Sequence, residues 1–583
     1  MSVLVRGLED WTTPDERIEE SRLLAAVRSA GLPTVNDLFV PPRSDADSSE
    51  ANKVGVGVVA FPDWLLCPVC RLLARRDSGL FKLETSKYSV DRNGYRHKTC
   101  PVAKGASPWA IPVRFVAACE RGHLDDFPWI AFAHGDKPVC DGPRLELLER
   151  GVAGSASEVF VHCKTCDQGR SLALAFGEEN RERNMPGCTG RHPHLGIHET
   201  CDSKTRMRAM LLGASNLWFP VRRSALTLPR TAGLSKLARR LLRDQHWATL
   251  RVMTAPGQIE AIASTPLLSA YVGVSADDLR AAIDEAVHAE AASSKPALQD
   301  DLLRDEWKVL ARPTGIREDD LETVVAPPPD GYGSLVERIV LVPRLREVAG
   351  LIGFTRIDAP YDDELLAARV ALSRAQSTWV PVSVVRGEGI FVQLMEKAVV
   401  AWVESNEALT ESFRVAHRLW RHARGKTDLD ANFPGLRYVL LHSLSHALMR
   451  QLALASGYSQ AAIRERIYSA NPGGPDSPAM AGILLMTAAP DSEGTLGGLV
   501  AQGEREALKR HLDVALQRAS LCSSDPFCSE HPREDDNLGI HGAACHACQF
   551  APETSCERGN RYLDRVVLSD LVGDAHASFF AAT

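Results

Sequence analysis

CHACQFAPETSCERGN, residues 545–560, carries three of the fourteen cysteines of the chain. A Cys-x-x-Cys pair can be a metal knuckle, a redox pair or two incidental thiols. The choice decides whether this region is a metal-stapled domain or a thioredoxin-like one. A redox pair normally follows a strand and opens a helix in a parallel α/β setting. Here HGAA precedes the pair and Cys556 follows closely, so a metal clasp is the better reading. Its expected ligands are Cys545, Cys548 and Cys556, with Cys528 as the fourth and Cys522 as the alternate. Four thiolates leave zinc no open coordination position, so the clasp is expected to be structural.

The other cysteines divide the chain. Nine lie from Cys67 to Cys201, none between Cys201 and Cys522, and five from Cys522 to Cys556. CPVC (67–70) and HKTC (97–100) have matching spacing, so Cys67, Cys70, His97 and Cys100 are expected to close one site, with Cys119 as a rival ligand. CKTC (163–166) with Cys188 and Cys201 suggests a second site. In ACERGHLDDFPWIAFAHGDKPVC (118–140), Cys119 and His123 have the spacing of a helical pair, and His134 and Cys140 could complete a third set. The plainer alternative there is a buried cysteine with surface histidines. Two to four structural zinc ions are expected in all.

At 583 residues the chain has room for two to four domains. Its 45% apolar and 24% charged residues are ordinary for a soluble protein. No apolar run reaches a membrane span, and the start, MSVLVRGLEDWTTPDERIEE, turns acidic too soon for a signal peptide. A cytoplasmic protein with reduced thiols follows, which favours metal over disulfides. Net charge is −7, so any nucleic-acid contact must rest on local basic groups. The candidates are Arg71, Arg75 and Arg76; Lys204, Arg206 and Arg208; Arg239, Arg240 and Arg243; and Arg421, Arg424 and Lys426. A solvated face is the commoner explanation for each alone.

The expected fold class is α+β: multidomain and helix-rich, with several structural zinc sites and a zinc-ribbon-like N-terminal half. The expected divisions are an N-terminal segment (1–59), a zinc-stapled Cys/His-rich domain (60–230), a helical region with linker (231–330) and a C-terminal zinc-binding domain (331–583). WVPVSVVRGEGIFVQL suggests two strands around an RGEG turn. Residues 431–458 read as one long helix, with Pro434 in its first turn and Gly457 at its end. GILLMTAA is a buried strand, and DSEGTLGG (491–498) a turn opening a further helix.

Catalytic signatures are sparse. GKT (425–427) lacks the upstream glycine of a P-loop and follows a helical pattern, so no ATP site is expected. HSLSH (442–446) sets two histidines one turn apart, but Ser443 stands where a zincin has its glutamate. A packed or interface face is the preferred reading. Asp491 and Glu493 sit after a buried strand, where a turn and helix cap is preferred over catalysis. A hydrolase or nuclease using His442, His446, Asp491 and Glu493 remains the enzymatic alternative, and a pure protein-interaction scaffold is another.

FPDWLLCPVC, VRFVAACERGHLDDFPW, GASNLWFP, SALTLP, GFTRI, GEGIF, LHSLSHAL, DSEGTLGGL and GAACHACQFAPETSCERGNRYLDR run in order from Phe61 to Arg565. Together they resemble the DrmB family of the DISARM anti-phage defence system, and the C-terminal part is similar to the zinc-binding domain of MrfA-type helicases. The resemblance implies a non-catalytic accessory subunit that pairs with a DrmA-like helicase or ATPase. It implies engagement of DNA with a single-stranded overhang, alongside other defence components including a DNA methyltransferase. It also carries zinc ligation onto Cys545, Cys548 and Cys556, with Cys528 or Cys522 as the fourth ligand. Because the chain begins just before GLEDW, an N-terminal arm of the family is expected to be missing.

Overall fold

The computed structural model describes residues 1–12, 14, 16–42, 55–86, 93–151, 156–202, 204–229, 235–242, 244–253, 257–262, 270–292, 299–312, 314–359, 368–473, 477–487, 498–525, 527–531, 533, 539–570 and 578–581. The chain folds as two compact units, each discontinuous in sequence. The first comprises Met1–Ile18, Thr34–Arg222 and Gly350–Val382; the second comprises Glu19–Pro33, Arg223–Ala349 and Ser383–Thr583. Among the described residues, no helix is long and apolar enough to cross a membrane.

The first unit is mostly short antiparallel strands. Eight of them form a sheet in the order 168–171, 159–163, 145–149, 72–75, 64–66, 109–112, 94–97, 81–84. Leu145–Glu149 and Val159–Cys163 alternate buried and less buried residues, as strands covered on one face do. That period of two puts Cys163 on the same inward face as Val159 and Val161. The unit's core gathers Trp64, Leu66, Leu73, Phe115, Phe127, Trp129, Phe132, Leu147 and Val161. A second, three-stranded sheet runs 124–126, 115–118, 208–211.

The second unit holds most of the helix. Its helical region has a small core of its own, built on Leu241, Leu250, Ile259, Tyr271, Leu279 and Ile283. Its sheet pairs Gly389–Gln393 with Gly482–Met486, and Ile463–Ala470 with Met480–Thr487, both antiparallel. The strand Trp379–Leu394 is continuous, so the expected RGEG turn is absent. The glycines there serve close approach instead. A Cβ on Gly389 would lie 2.9 Å from the Leu485 carbonyl oxygen, and one on Gly387 would lie 2.3 Å from Thr487 Oγ1.

Gly435–Ser456 is the long helix expected, closed by Gly457 at φ 75°. It is buried nearly all round, because its Leu436–Leu440–Leu444–Leu448 stripe and its opposite, histidine-bearing side are both covered. Buried charge in this unit is paired: Arg466 donates to Glu306 at 2.6 and 2.8 Å, and Tyr468 donates to the same carboxylate at 3.0 Å.

Candidate metal centres

Among the described residues, several groups of side chains could hold a metal ion, and five of them are sets of four whose donor atoms lie within 4.8 Å of one another. In the first unit they are Cys67, Cys70, His97 and Cys100; Cys119, His123, Cys188 and Cys201; and His134, Cys140, Cys163 and Cys166. In the second they are Cys522, Cys528, Cys545 and Cys548; and His442, His446, Glu465 and Cys556. Every cysteine of the chain falls in one of these groups, and none is in a disulfide.

Local backbone chemistry builds these groups from tight turns. CPVC joins the strands Trp64–Leu66 and Leu72–Arg75, with Arg71 N–H donating to the Cys67 carbonyl at 2.9 Å and Arg71 at φ 61°. CKTC repeats the device: Asp167 N–H donates to the Cys163 carbonyl at 2.9 Å, and Asp167 sits at φ 58°. In CHAC, Gln549 N–H donates to the Cys545 carbonyl, also at 2.9 Å. Each turn presents both of its sulfurs to one side. Backbone amides also feed the sulfurs directly. Arg121 N donates to Cys119 at 3.4 Å, Gly190 N to Cys188 at 3.3 Å, Cys545 N to Cys548 at 3.2 Å and Asn560 N to Cys556 at 3.2 Å. Such bonds favour the thiolate, the form that binds metal.

Second partners orient the histidines. His134 donates Nδ1–H to the Ile130 carbonyl at 2.8 Å, which leaves Nε2 facing Cys140 at 3.4 Å and Cys166 at 3.3 Å. His123 donates Nε2–H to Glu199 at 2.7 Å, and its buried Nδ1 has no hydrogen-bond partner. A ligating imidazole held by a carbonyl or carboxylate on its far nitrogen is the usual metal-site arrangement. In GHLDDFPW, Asp125 and Asp126 both accept from Arg191, at 2.7 and 3.0 Å, bracing the segment between Cys188 and Cys201. Arg356 of GFTRI donates to the Gly122 carbonyl at 2.7 Å and so steadies the Cys119–His123 turn.

Electrostatics within the groups follow from crowding. A hydrogen bond from Cys188 is the main cause that lowers Cys119 to about 4. Burial pushes Cys163 up, but the amides of Cys166 and Thr165 outweigh it and hold the thiol at about 6. Burial likewise opposes ionisation of Cys556, and the neighbouring His442 brings it down to about 7. Conversely, burial and adjacent thiols push Cys70 and Cys140 up to about 12. One thiolate forms easily and its neighbours resist, a conflict that a bound dication relieves.

The grouping differs from expectation in four respects. Cys163 and Cys166 join His134 and Cys140, because Leu145 pairs with Cys163 and brings the preceding Cys140 alongside; Cys188 and Cys201 join Cys119 and His123 instead. Cys119 and His123 are not on a helix. They face each other across a hairpin in which Cys119 N–H donates to the His123 carbonyl at 3.0 Å, turned by Gly122 at φ 88°. In the C-terminal region Cys522 and Cys528 both stand in one group with Cys545 and Cys548, and Cys556 lies in a separate group. Finally, His442 and His446, expected on a packed or interface face, are buried against Glu465 and Cys556. Glu465 carried no signal in the sequence. An odd fifth cysteine beside a His-x-x-x-His helix was the available clue. Asp491 and Glu493 lie outside the described residues.

A family described as a domain of unknown function, DUF8724, matches residues 1–219, and the MrfA Zn-binding domain family matches residues 444–549. Together with the Cys/His groups, the latter match supports zinc binding. Among solved structures, the crystal structure of the DUF1998 helicase MrfA bound to DNA aligns at 9% identity with a TM-score of 0.19. That alignment covers 38% of this chain and 23% of the other, a likeness too slight to argue from. The DISARM protein DrmB of Bacillus paralicheniformis is 32% identical over 537 residues, 90% of each chain. With that identity sustained across nearly its whole length, the chain belongs to the DrmB family of DISARM antiviral defence proteins.

Proposed function

We propose that this protein is a non-catalytic, zinc-stapled accessory subunit that binds DNA backbone next to a helicase-like ATPase partner of its defence system, on DNA with single-stranded character. Zinc is structural at the three groups of three cysteines and one histidine, and at the four-cysteine group. Each of these supplies four protein ligands and no open position. Family membership supports the defence role. Support for the DNA contact comes from the fate of the basic groups. Arg75 and Arg76 are engaged by Asp77 and Asp63, Arg71 by the Leu147 carbonyl, and Arg421 is fully buried. Lys204, Arg206 and Arg208, by contrast, are all exposed at alternate positions leading into the edge strand Arg208–Leu211. Among the described residues none of the three is tied into an ion pair. That row is the observation that carries the reading, because cations spaced along an extended edge can track phosphates.

The test is a gel shift over a salt series, with the isolated chain and with its ATPase partner, comparing the native protein with a K204E/R206E/R208E variant. Backbone binding through this row predicts weaker binding on every sequence, and a shallower dependence of log affinity on log salt, by roughly 2 to 3. An unchanged salt slope in the variant rejects the row. Absence of any shift by the isolated chain leaves the scaffold reading, with DNA held by the partner alone.

A further inference from the structure

The group of His442, His446, Glu465 and Cys556 is unlike the others in donors, burial and position. Two of its members, His442 and Cys556, lie outside the stretch matched by the MrfA Zn-binding family. All four are buried, whereas each of the four groups described above includes at least one partly exposed member. His442 and His446, four apart on the helix Gly435–Ser456, face the same side. Glu465 comes from the strand Ile463–Ala470, and Cys556 from the loop 545–560.

The hydrogen bonds around His446, Glu465 and Cys556 are arranged for a cation, while His442 Nδ1 is buried without a partner. His446 donates Nδ1–H to the Gln549 carbonyl at 2.8 Å, so in the neutral ring its Nε2 carries a lone pair. That Nε2 is buried, has no hydrogen-bond partner, and points at Glu465 Oε1 3.5 Å away. A lone pair facing a carboxylate oxygen is repulsive unless a cation sits between them. Both acceptors are already served from elsewhere. Glu465 accepts from Ser445 Oγ at 2.6 Å and from Glu557 N at 3.0 Å, and Cys556 accepts from Asn560 N and Arg558 N. His442 Nε2 lies 3.1 Å from Cys556 Sγ and 3.2 Å from Glu465 Oε1, completing a four-atom cage. The alternative, two imidazolium rings with centroids 4.5 Å apart, sets like charges side by side in a buried site and relies on Glu465 and Cys556 to offset them.

We propose that His442, His446, Glu465 and Cys556 form a closed metal centre for a divalent zinc-type ion, distinct from the four-cysteine clasp. Two neutral imidazoles, one carboxylate and one thiolate bring a dication to zero net charge. Four thiolates leave a net charge of −2, and three thiolates with one imidazole leave −1. Desolvation penalises net charge steeply, so the neutral set is the one that tolerates full burial. Mixed nitrogen, oxygen and sulfur donors in a four-ligand cage suit zinc. With no open position the ion does no hydrolysis, and it pins the long helix to the neighbouring strand and to the cysteine loop. This is independent of the DNA reading.

The experiment is a metal count by inductively coupled plasma mass spectrometry on the full chain, zinc-saturated and desalted, without DNA. Four ions satisfy the other groups; the proposal requires at least five in the native protein, falling by one in Cys556→Ser. Cobalt-substituted native protein minus cobalt-substituted Cys556→Ser should leave the absorption of a four-coordinate ion with one thiolate. Four ions or fewer in the native protein overturns the proposal, as does a Cys556→Ser count equal to the native one. If that variant does not fold, the native count alone decides.

Discussion

Glu199 offers a clean perturbation of one metal group. A single oxygen, Oε1, accepts from His123 Nε2 at 2.7 Å and from His192 Nε2 at 3.1 Å. Those rings are only 2% and 6% exposed, whereas the Glu199 side chain is 56% exposed, so its truncation opens no core cavity. Glu199→Ala removes the partner that holds His123 with Nδ1 towards Cys119, Cys188 and Cys201. Loss of an outer partner of a ligating histidine typically lowers metal affinity 10- to 100-fold, or about 1.4 to 2.8 kcal/mol. Exposure lets water replace part of the lost bonding, which places the expected effect near tenfold. Glu199→Gln keeps an acceptor and should fall between native and alanine. The assay is zinc release against a graded chelator: one equivalent should leave Glu199→Ala at about tenfold lower chelator, with the rest of the curve superimposable. Superimposable curves for all three proteins would refute the role of Glu199 in orienting His123.

Burial lowers His194 to about 4, with its Nε2 at 3.0 Å from the Ala371 carbonyl. A histidine depressed from about 6.5 contributes stability that is complete above pH 6.5 and is lost as pH falls towards 4. That amounts to about 3 kcal/mol. Denaturant titrations should therefore show a shallower acid loss in His194→Gln, by about one proton per molecule across that window; parallel curves would contradict this. Gly389→Ala should lower the melting temperature, because its Cβ meets the Leu485 carbonyl oxygen at 2.9 Å and Leu484 Cδ1 at 3.0 Å. The expected loss is about 1 to 3 kcal/mol, and an unchanged melt would show that the sheet yields there.

The set Cys67, Cys70, His97 and Cys100 was legible because two short motifs of equal spacing suffice to compose it. Cys163 and Cys166 were legible as a pair but not in their partners. Those depend on strand register, which the sequence around Leu145 does not announce. Cys119 and His123 show the ambiguity of a four-residue interval, which a helix turn and a tight hairpin satisfy equally; Gly122 between them was the sign of the hairpin. Gly387 and Gly389 were misread for the opposite reason. Glycine marks turns, but it also marks strands that lie against a neighbour too closely for a side chain. Glu465 was invisible, since a carboxylate in IRERIYSA looks like any strand glutamate until the fold sets it against His442.

The order of the ligands along the chain has a consequence for synthesis. The three groups of the first unit are complete once Cys201 has left the ribosome, but that unit also needs Gly350–Val382. At ordinary translation rates the interval from Cys201 to Cys556 lasts roughly 20 to 70 s. Through the first part of that wait, ions bound at the turns can hold the early strands in register without their missing third segment. The second unit has no such early anchor: its final ligands, Cys548 and Cys556, emerge near the end of the chain. If these groups take up metal as proposed, a nascent protein halted before Cys556 carries filled groups in its first unit and an incomplete one in its second, two states that limited proteolysis of stalled chains would tell apart.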